Sequence, residues 1–133
     1  MDGRDLAAVL IAGAEAAQLG TAFLRTPESG AHDTYKASLA DPAFTTTAIT
    51  RAFSGRRARG LVNRFMLDHP SAPIAYPQIN GATRPLRAEA ARRGDPHHMS
   101  LWAGQGFRRA EARPAGEIVD RIMTGYRAAV DER

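Results

Sequence analysis

"AQLGTAFLRTPES", residues 17–29, is the stretch on which the reading of the fold turns. A short apolar run breaks at Gly20-Thr21, resumes with Ala22-Phe23-Leu24 and stops at Pro27. Upstream, residues 4–14 read as a helix, because Leu6, Val9, Leu10 and Gly13 share one face with Ile11 and Ala14 beside it. Asp2 is placed to cap that helix, and Gly13 is placed to stop it or to allow close packing. Residues 16–19 then read as a short buried strand, and Thr21 to Leu24 as a brief helical turn that Thr26-Pro27 ends. Helix, strand and helix at close spacing is the order of a parallel α/β fold.

Gly20-Thr21 therefore has two readings. In one, glycine at the end of a parallel strand lets an oxyanion approach the backbone N–H groups, a hydroxyl adds a hydrogen bond, and the helical turn adds the positive end of its dipole. In (β/α)8 barrels the loops after the last two strands often build such a phosphate site. In the other, the pair is a plain turn in which threonine caps the helical segment.

Downstream the pattern is looser. Tyr35 to Ala40 reads as a helix closed by Asp41-Pro42, and "TTTAITRAF", residues 45–53, alternates with β-branched residues as a strand does. "SGRRARG", residues 54–60, reads as a basic loop, and residues 61–68 as a short helix ended by His69-Pro70. A loop carrying Pro73 and Pro77 leads to a helix near Arg84–Arg93, with Pro85 suited to its first turn. "GDPHHMSLWAGQGF" reads as loop. Residues 115–130 form an amphipathic helix with Ile118, Val119, Ile122, Met123, Tyr126 and Val130 on one stripe.

Composition bounds the function. The 133 residues suffice for one ordinary domain, and 44% hydrophobic with 24% charged residues marks a globular chain. Without cysteine there is neither a disulfide framework nor a thiolate metal site. No apolar run reaches the roughly 18 residues of a membrane span, and the first residues lack the order of a signal peptide, so a cytoplasmic location is the expectation. The formal charge is +4, with Lys36 the only lysine among eighteen basic residues. That balance admits nucleic-acid binding, but no aromatic interleaving or RNA-binding signature accompanies it.

Individual motifs keep alternatives open. Among Arg56, Arg57 and Arg59 one arginine contacts an anion, or the three form a nucleic-acid patch, or they sit on a solvated loop. His97-His98 lacks metal-ligand spacing, and no Ser-His-Asp order, GxSxG or paired-carboxylate motif is present. In "LWAGQGF", Trp102 either lines a pocket with Gln105 as a polar contact or plugs the loop onto the core.

In order, "DGRDLAAVLIAGAEAAQLGTAFLRTPES", "TRAFSGRRARGLVN", "AYPQINGATRPLR" and "SLWAGQGF" resemble the C-terminal part of nitronate monooxygenases, flavin enzymes formerly called 2-nitropropane dioxygenases. The resemblance implies an FMN-dependent TIM (β/α)8 barrel that oxidises alkyl nitronates with O2 to a carbonyl compound and nitrite. It implies that Gly20 and Thr21 hold the FMN phosphate, opposite a Gly-Gly pair this sequence does not contain upstream of Asp2. Ser54, Gly55, Arg56, Trp102 and Gln105 would belong to a small second domain covering the flavin. The family's catalytic histidine lies in a glycine-rich loop, and His32, His69, His97 and His98 all have other contexts.

The expectation is thus an α/β chain: the last helix–strand unit of a barrel over residues 1–30, a mostly helical cap-like segment over 31–110, and the terminal amphipathic helix over 111–133. It reads as a truncated family member, inactive alone. The alternatives are an interaction module completing a partner half-barrel, or a basic nucleic-acid binder.

Overall fold

A computed structural model of the chain describes residues 2–131. The chain divides into two compact units, Met1–Gly30 with Arg109–Arg133, and Ala31–Arg108.

The first unit is built from two helices distant in sequence. Helix α1 spans Gly3–Ile11 and starts at a full capping box. The Asp2 carboxylate accepts from the Arg4 and Asp5 N–H groups at 3.0 and 3.1 Å, and Asp5 Oδ2 accepts from the Asp2 N–H at 2.9 Å. These bonds to the ionised form, that from the Asp5 N–H foremost, hold the Asp2 carboxyl below its ordinary value. Arg109 adds ion pairs to Asp2 and Asp5 at 3.1 and 2.8 Å. Gly13, at φ +102 and with open space where a side chain would stand, acts as the stop and not as a packing residue.

The second helix of this unit, reached at the far end of the chain as Ala115–Asp131 and numbered α5 below, crosses α1 at very short range. A Cβ on Gly3 would lie 2.2 Å from the Tyr126 nitrogen and 2.3 Å from the Gly125 carbonyl carbon, so no side chain fits there. Ala7 is buried on α1 and Ile118 on α5. Of the expected stripe, Ile122, Met123 and Tyr126 are half-buried, whereas Val119 and Val130 are exposed.

The expected strand at residues 16–19 is not present. The segment is irregular, and Ala16 and Gln18 are exposed. A parallel strand is stable only between neighbours that bury both its faces, and among the described residues none pairs with it. The helical turn that follows is present as a 3-10 turn over Thr21–Phe23. Beyond it Arg25 donates to the Ala110 carbonyl at 2.8 Å, and the Glu28 carboxylate accepts from the Ala115 N–H at 2.9 Å, capping α5.

The second unit packs short elements around an aromatic and aliphatic core. Helix α2 covers Asp33–Ser38, with His32 Nδ1 accepting from the Thr34 N–H at 3.2 Å. Strands β1, Thr47–Thr50, and β2, Ala58–Leu61, pair antiparallel with Thr47 opposite Leu61 and Thr50 opposite Ala58. The basic loop expected over residues 54–60 is therefore only half loop. Its second half is strand, because the Arg59 guanidinium turns back along the ladder to the Thr47 hydroxyl at 3.1 Å. The 101–103 segment extends this sheet: Gly60 bridges Trp102, the Leu61 N–H donates to the Leu101 carbonyl at 2.9 Å, and Ala103 N–H to the Arg59 carbonyl at 3.1 Å.

Helix α3 covers Arg64–Asp68 and α4 covers Gln78–Arg93. Since α4 starts at Gln78, Pro85 sits in its interior and not in its first turn. It offers no N–H to the carbonyl a turn earlier, and the Arg87 guanidinium reaches back to the Asn80 carbonyl and side-chain oxygens at 3.0 and 2.9 Å. Phe53, Leu39, Leu61 and Leu101 are the most deeply buried large side chains of the core. Asn63, also buried, ties it together by donating to the Pro96 and Met99 carbonyls at 2.9 and 2.8 Å and accepting from the Met66 N–H at 3.2 Å.

Candidate functional site

The candidate residues fall into both units. Gly20 and Thr21 belong to the first, and Ser54, Gly55, Arg56, Trp102 and Gln105 to the second.

Gly20 has φ −103 and ψ −58 and precedes the 3-10 turn, whose bonds run from the Phe23 N–H to the Gly20 carbonyl at 3.1 Å and from Leu24 to Thr21 at 3.3 Å. The leading N–H groups of such a turn have no acceptor within it. A Cβ built on Gly20 would meet nothing within 4 Å, so the backbone here is open to close approach. Next to it lies a hollow of ≈ 340 Å³ lined by Gly20, Phe23, Thr26 and Ser29, among others. Its wall is rigid: the buried Thr26 hydroxyl donates to the Phe23 carbonyl at 3.0 Å and accepts from the Ser29 N–H at 3.2 Å.

In the second unit, Ser54, Gly55 and Arg56 form one turn. The Arg56 N–H donates to Ser54 Oγ at 3.2 Å, and the Gly55 N–H to the Arg51 carbonyl at 2.8 Å. Gly55 has φ +80, a left-handed conformation that favours glycine, and a Cβ there would lie 2.6 Å from the Ala75 carbonyl carbon and oxygen. That approach brings the Arg56 guanidinium over the Tyr76 ring, 4.2 Å from its centroid.

Trp102 does not join this turn directly. Its ring meets Phe53 edge-on at 5.7 Å, and Phe53 in turn stacks on Phe65 at 4.7 Å. The Trp102 carbonyl accepts from the Tyr35 hydroxyl, and burial pushes the Tyr35 phenol well above its ordinary value. Trp102 is half-buried and part of the sheet, whereas Gln105 is exposed.

Tyr35 and Tyr76 went unremarked as site neighbours in sequence. Their only local signals are an aromatic within a short helix and an aromatic before a proline, which many core residues share. The four histidines serve local structure. His32 caps α2, His69 lies against Phe65 at 4.5 Å, His97 against Phe44 at 5.7 Å, and His98 Nδ1 pairs with Asp95 Oδ2 at 2.6 Å. Among the described residues no group of three or more His, Asp or Glu side chains is arranged to hold a metal. No helix among them is long and apolar enough to cross a membrane.

Comparison with known proteins gives these positions a context. The family model for nitronate monooxygenase matches residues 1–125. The chain is 41% identical over 131 residues to a nitronate monooxygenase of Pseudomonas aeruginosa, covering 96% of this chain and 37% of that protein. It is 37% identical over 126 residues to a probable nitronate monooxygenase of Staphylococcus saprophyticus, covering 92% of this chain and 36% of that protein. The chain thus spans little more than a third of the length of these curated relatives. Among solved structures it superposes on nitroalkane oxidase from Streptomyces ansochromogenes with a TM-score of 0.97 and 53% identity, over 99% of this chain and 38% of that one. It superposes on FabK from Thermotoga maritima with a TM-score of 0.73 and 27% identity, over 98% of this chain and 43% of that one. A family model matched from residue 1 to residue 125, with relatives aligned over nearly the whole chain, means that this chain belongs to the nitronate monooxygenase family.

Proposed function

We propose that this chain serves an FMN-dependent oxidation of alkyl nitronates by O2 to a carbonyl compound and nitrite, its first unit contributing to the phosphate corner and its second unit to the cap. The observation that carries the reading is the family match across residues 1–125. FMN, when bound, supplies the redox chemistry of the reaction. What this chain contributes is positioning.

Gly20 and Thr21 would hold the phosphate. The open face of Gly20 supports this, because an oxyanion can reach the leading N–H groups of the turn with no side chain in the way. The stiff Thr26–Ser29 turn behind it keeps those groups fixed, as electrostatic stabilisation of an anion requires. Ser54, Gly55, Arg56 and Trp102 would shape the cap that excludes water, with Gln105 at its rim. The barrel reading belongs here too. Residues 16–19, half-buried to exposed in the structure, would take a strand's place once neighbouring strands flank them, supplied by the rest of the enzyme or by a partner half-barrel.

Proton abstraction is not assigned to this chain, since each of its four histidines is engaged in capping, ring packing or a hydrogen bond to a carboxylate. The 133-residue chain alone is accordingly expected to release no nitrite from propyl nitronate in air. A full-length relative carrying this segment is expected to do so, and Thr21→Val in it should weaken FMN binding about tenfold through loss of a hydrogen bond to a charged group. Unchanged FMN affinity in Thr21→Val would remove the phosphate assignment. Nitrite release by the isolated chain would overturn the division of labour.

A further inference from the structure

We propose that the mouth of the β1–β2 hairpin is a binding site for a phosphate monoester with a short apolar body, held between Arg51 and Arg57. The pairing register carries the argument. Thr47 faces Leu61, Ala48 faces Gly60, Ile49 faces Arg59 and Thr50 faces Ala58. One further step sets Arg51 against Arg57, just where the strands part into the turn. Both side chains line one hollow of ≈ 300 Å³, together with Ile49, Thr50, Pro70 and Ala72.

The two arginines flank the end of the ladder, one beyond each strand, and bring two like charges to one hollow. The protein supplies no counter-charge there among the described residues. No carboxylate lines the hollow, and neither guanidinium has an ion pair or hydrogen-bond partner there. Among the described residues Arg64, Arg92, Arg93, Arg109, Arg113 and Arg121 carry ion pairs and Arg4, Arg84 and Arg127 do not, so what sets Arg51 and Arg57 apart is that they line one hollow together. An external anion is the missing element.

The chemistry of the walls narrows its class. Two planar guanidinium forks match the doubly charged, multi-oxygen head of a phosphate monoester better than a single carboxylate. The hollow is also lined by Ile49, which is 59% exposed, and by Pro70 and Ala72, apolar residues that favour an esterified phosphate over the bare ion. The site lies wholly within the second unit, whereas Gly20 and Thr21 belong to the first.

The test is titration of the 133-residue chain with n-butyl phosphate at low salt. The readouts are the arginine Nε resonances and the melting temperature, with inorganic phosphate, butyrate and n-butanol as separate arms. Butyl phosphate is expected to move the Arg51 and Arg57 signals and raise the melting temperature, inorganic phosphate to act more weakly, and butanol not at all. Arg51→Gln and Arg57→Gln should each weaken binding about tenfold. Both variants are expected to melt no lower than the parent without ligand, because each relieves the like-charge pair. Arg57→Lys, keeping charge but not the fork, should bind between the two. Equal binding by parent and double glutamine variant, or no binding at low salt, overturns the site. Butyrate binding as tightly as butyl phosphate overturns the dianion assignment, and preference for a single-stranded oligonucleotide overturns the small-molecule one.

Discussion

Gly55→Ala isolates the geometry of the Ser54-Gly55-Arg56 turn. Two costs add. The left-handed backbone at φ +80 disfavours alanine by about 1–2 kcal/mol. The new methyl would lie 2.6 Å from the Ala75 carbonyl, whereas ordinary contact begins at 3.4 Å, so the Ala75–Tyr76 backbone must retreat by the difference, 0.8 Å. Forcing such a shift in packed structure costs about 1–3 kcal/mol. The sum, about 2–5 kcal/mol, is a large fraction of the stability of an ordinary domain and corresponds to a melting-temperature loss of roughly 10 °C for a chain of this size. Thermal unfolding followed by far-UV circular dichroism measures it, and tyrosine fluorescence reports the loss of the Arg56–Tyr76 stack. Gly20→Ala is the control. There φ is −103 and nothing lies within 4 Å, so alanine should stabilise the chain by about 0.4–1 kcal/mol through the unfolded state. A Gly55→Ala protein melting within about 2 °C of the parent, or equal shifts at the two glycines, would refute the reasoning.

Other perturbations follow from the same contacts. Asn63→Ala should cost at least about 2 kcal/mol in denaturant unfolding, because it leaves the Pro96 and Met99 carbonyls and the Met66 N–H without their partner. Tyr35→Phe should cost about 1 kcal/mol and alter the Trp102 fluorescence spectrum, since only the bond to the Trp102 carbonyl is lost. Hydrogen bonds from Arg92 and Arg93 lower the Glu89 carboxyl from 4.5 to about 2, so its contribution to α4 is complete above pH 4.5 and is lost as pH falls toward 2. Glu89→Gln should flatten that part of the stability–pH curve, and an unaltered slope would show that the bonds are not made in solution.

Legibility in the sequence followed the range of the forces involved. Local ones were readable: the Asp2 cap, the stop at Gly13, the turn after Gly20 and the long helix from Ala115 all depend on residues a few places apart. Non-local ones were not. Residues 16–19 stand where a strand is due after a helix, although Ala-Ala-Gln-Leu holds no β-branched residue, and whether a strand forms depends on neighbours that lie elsewhere. In "SGRRARG" the arginines hid a strand, because Arg59 is held by the ladder and the Thr47 hydroxyl and not by burial of an apolar side chain. Pro85 misled for a similar reason. A proline marks a helix start by local rules, yet α4 runs seven residues before it. At the candidate site the residue types were visible, whereas the Tyr76 partner of Arg56 and the Phe53 partner of Trp102 arise only from folding.

The crossing of α1 and α5 at Gly3 and Gly125 has a consequence for biosynthesis. A nascent chain emerges from its N-terminus, so α1 must wait for more than a hundred residues before its partner helix exists. The unit spanning Ala31–Arg108 is contiguous and can collapse while synthesis continues. Closure of the first unit then joins two stretches distant in sequence, the slow kind of event in folding. During that interval the face of α1 around Gly3 and Ala7 is without α5, the helix that packs on it in the finished fold.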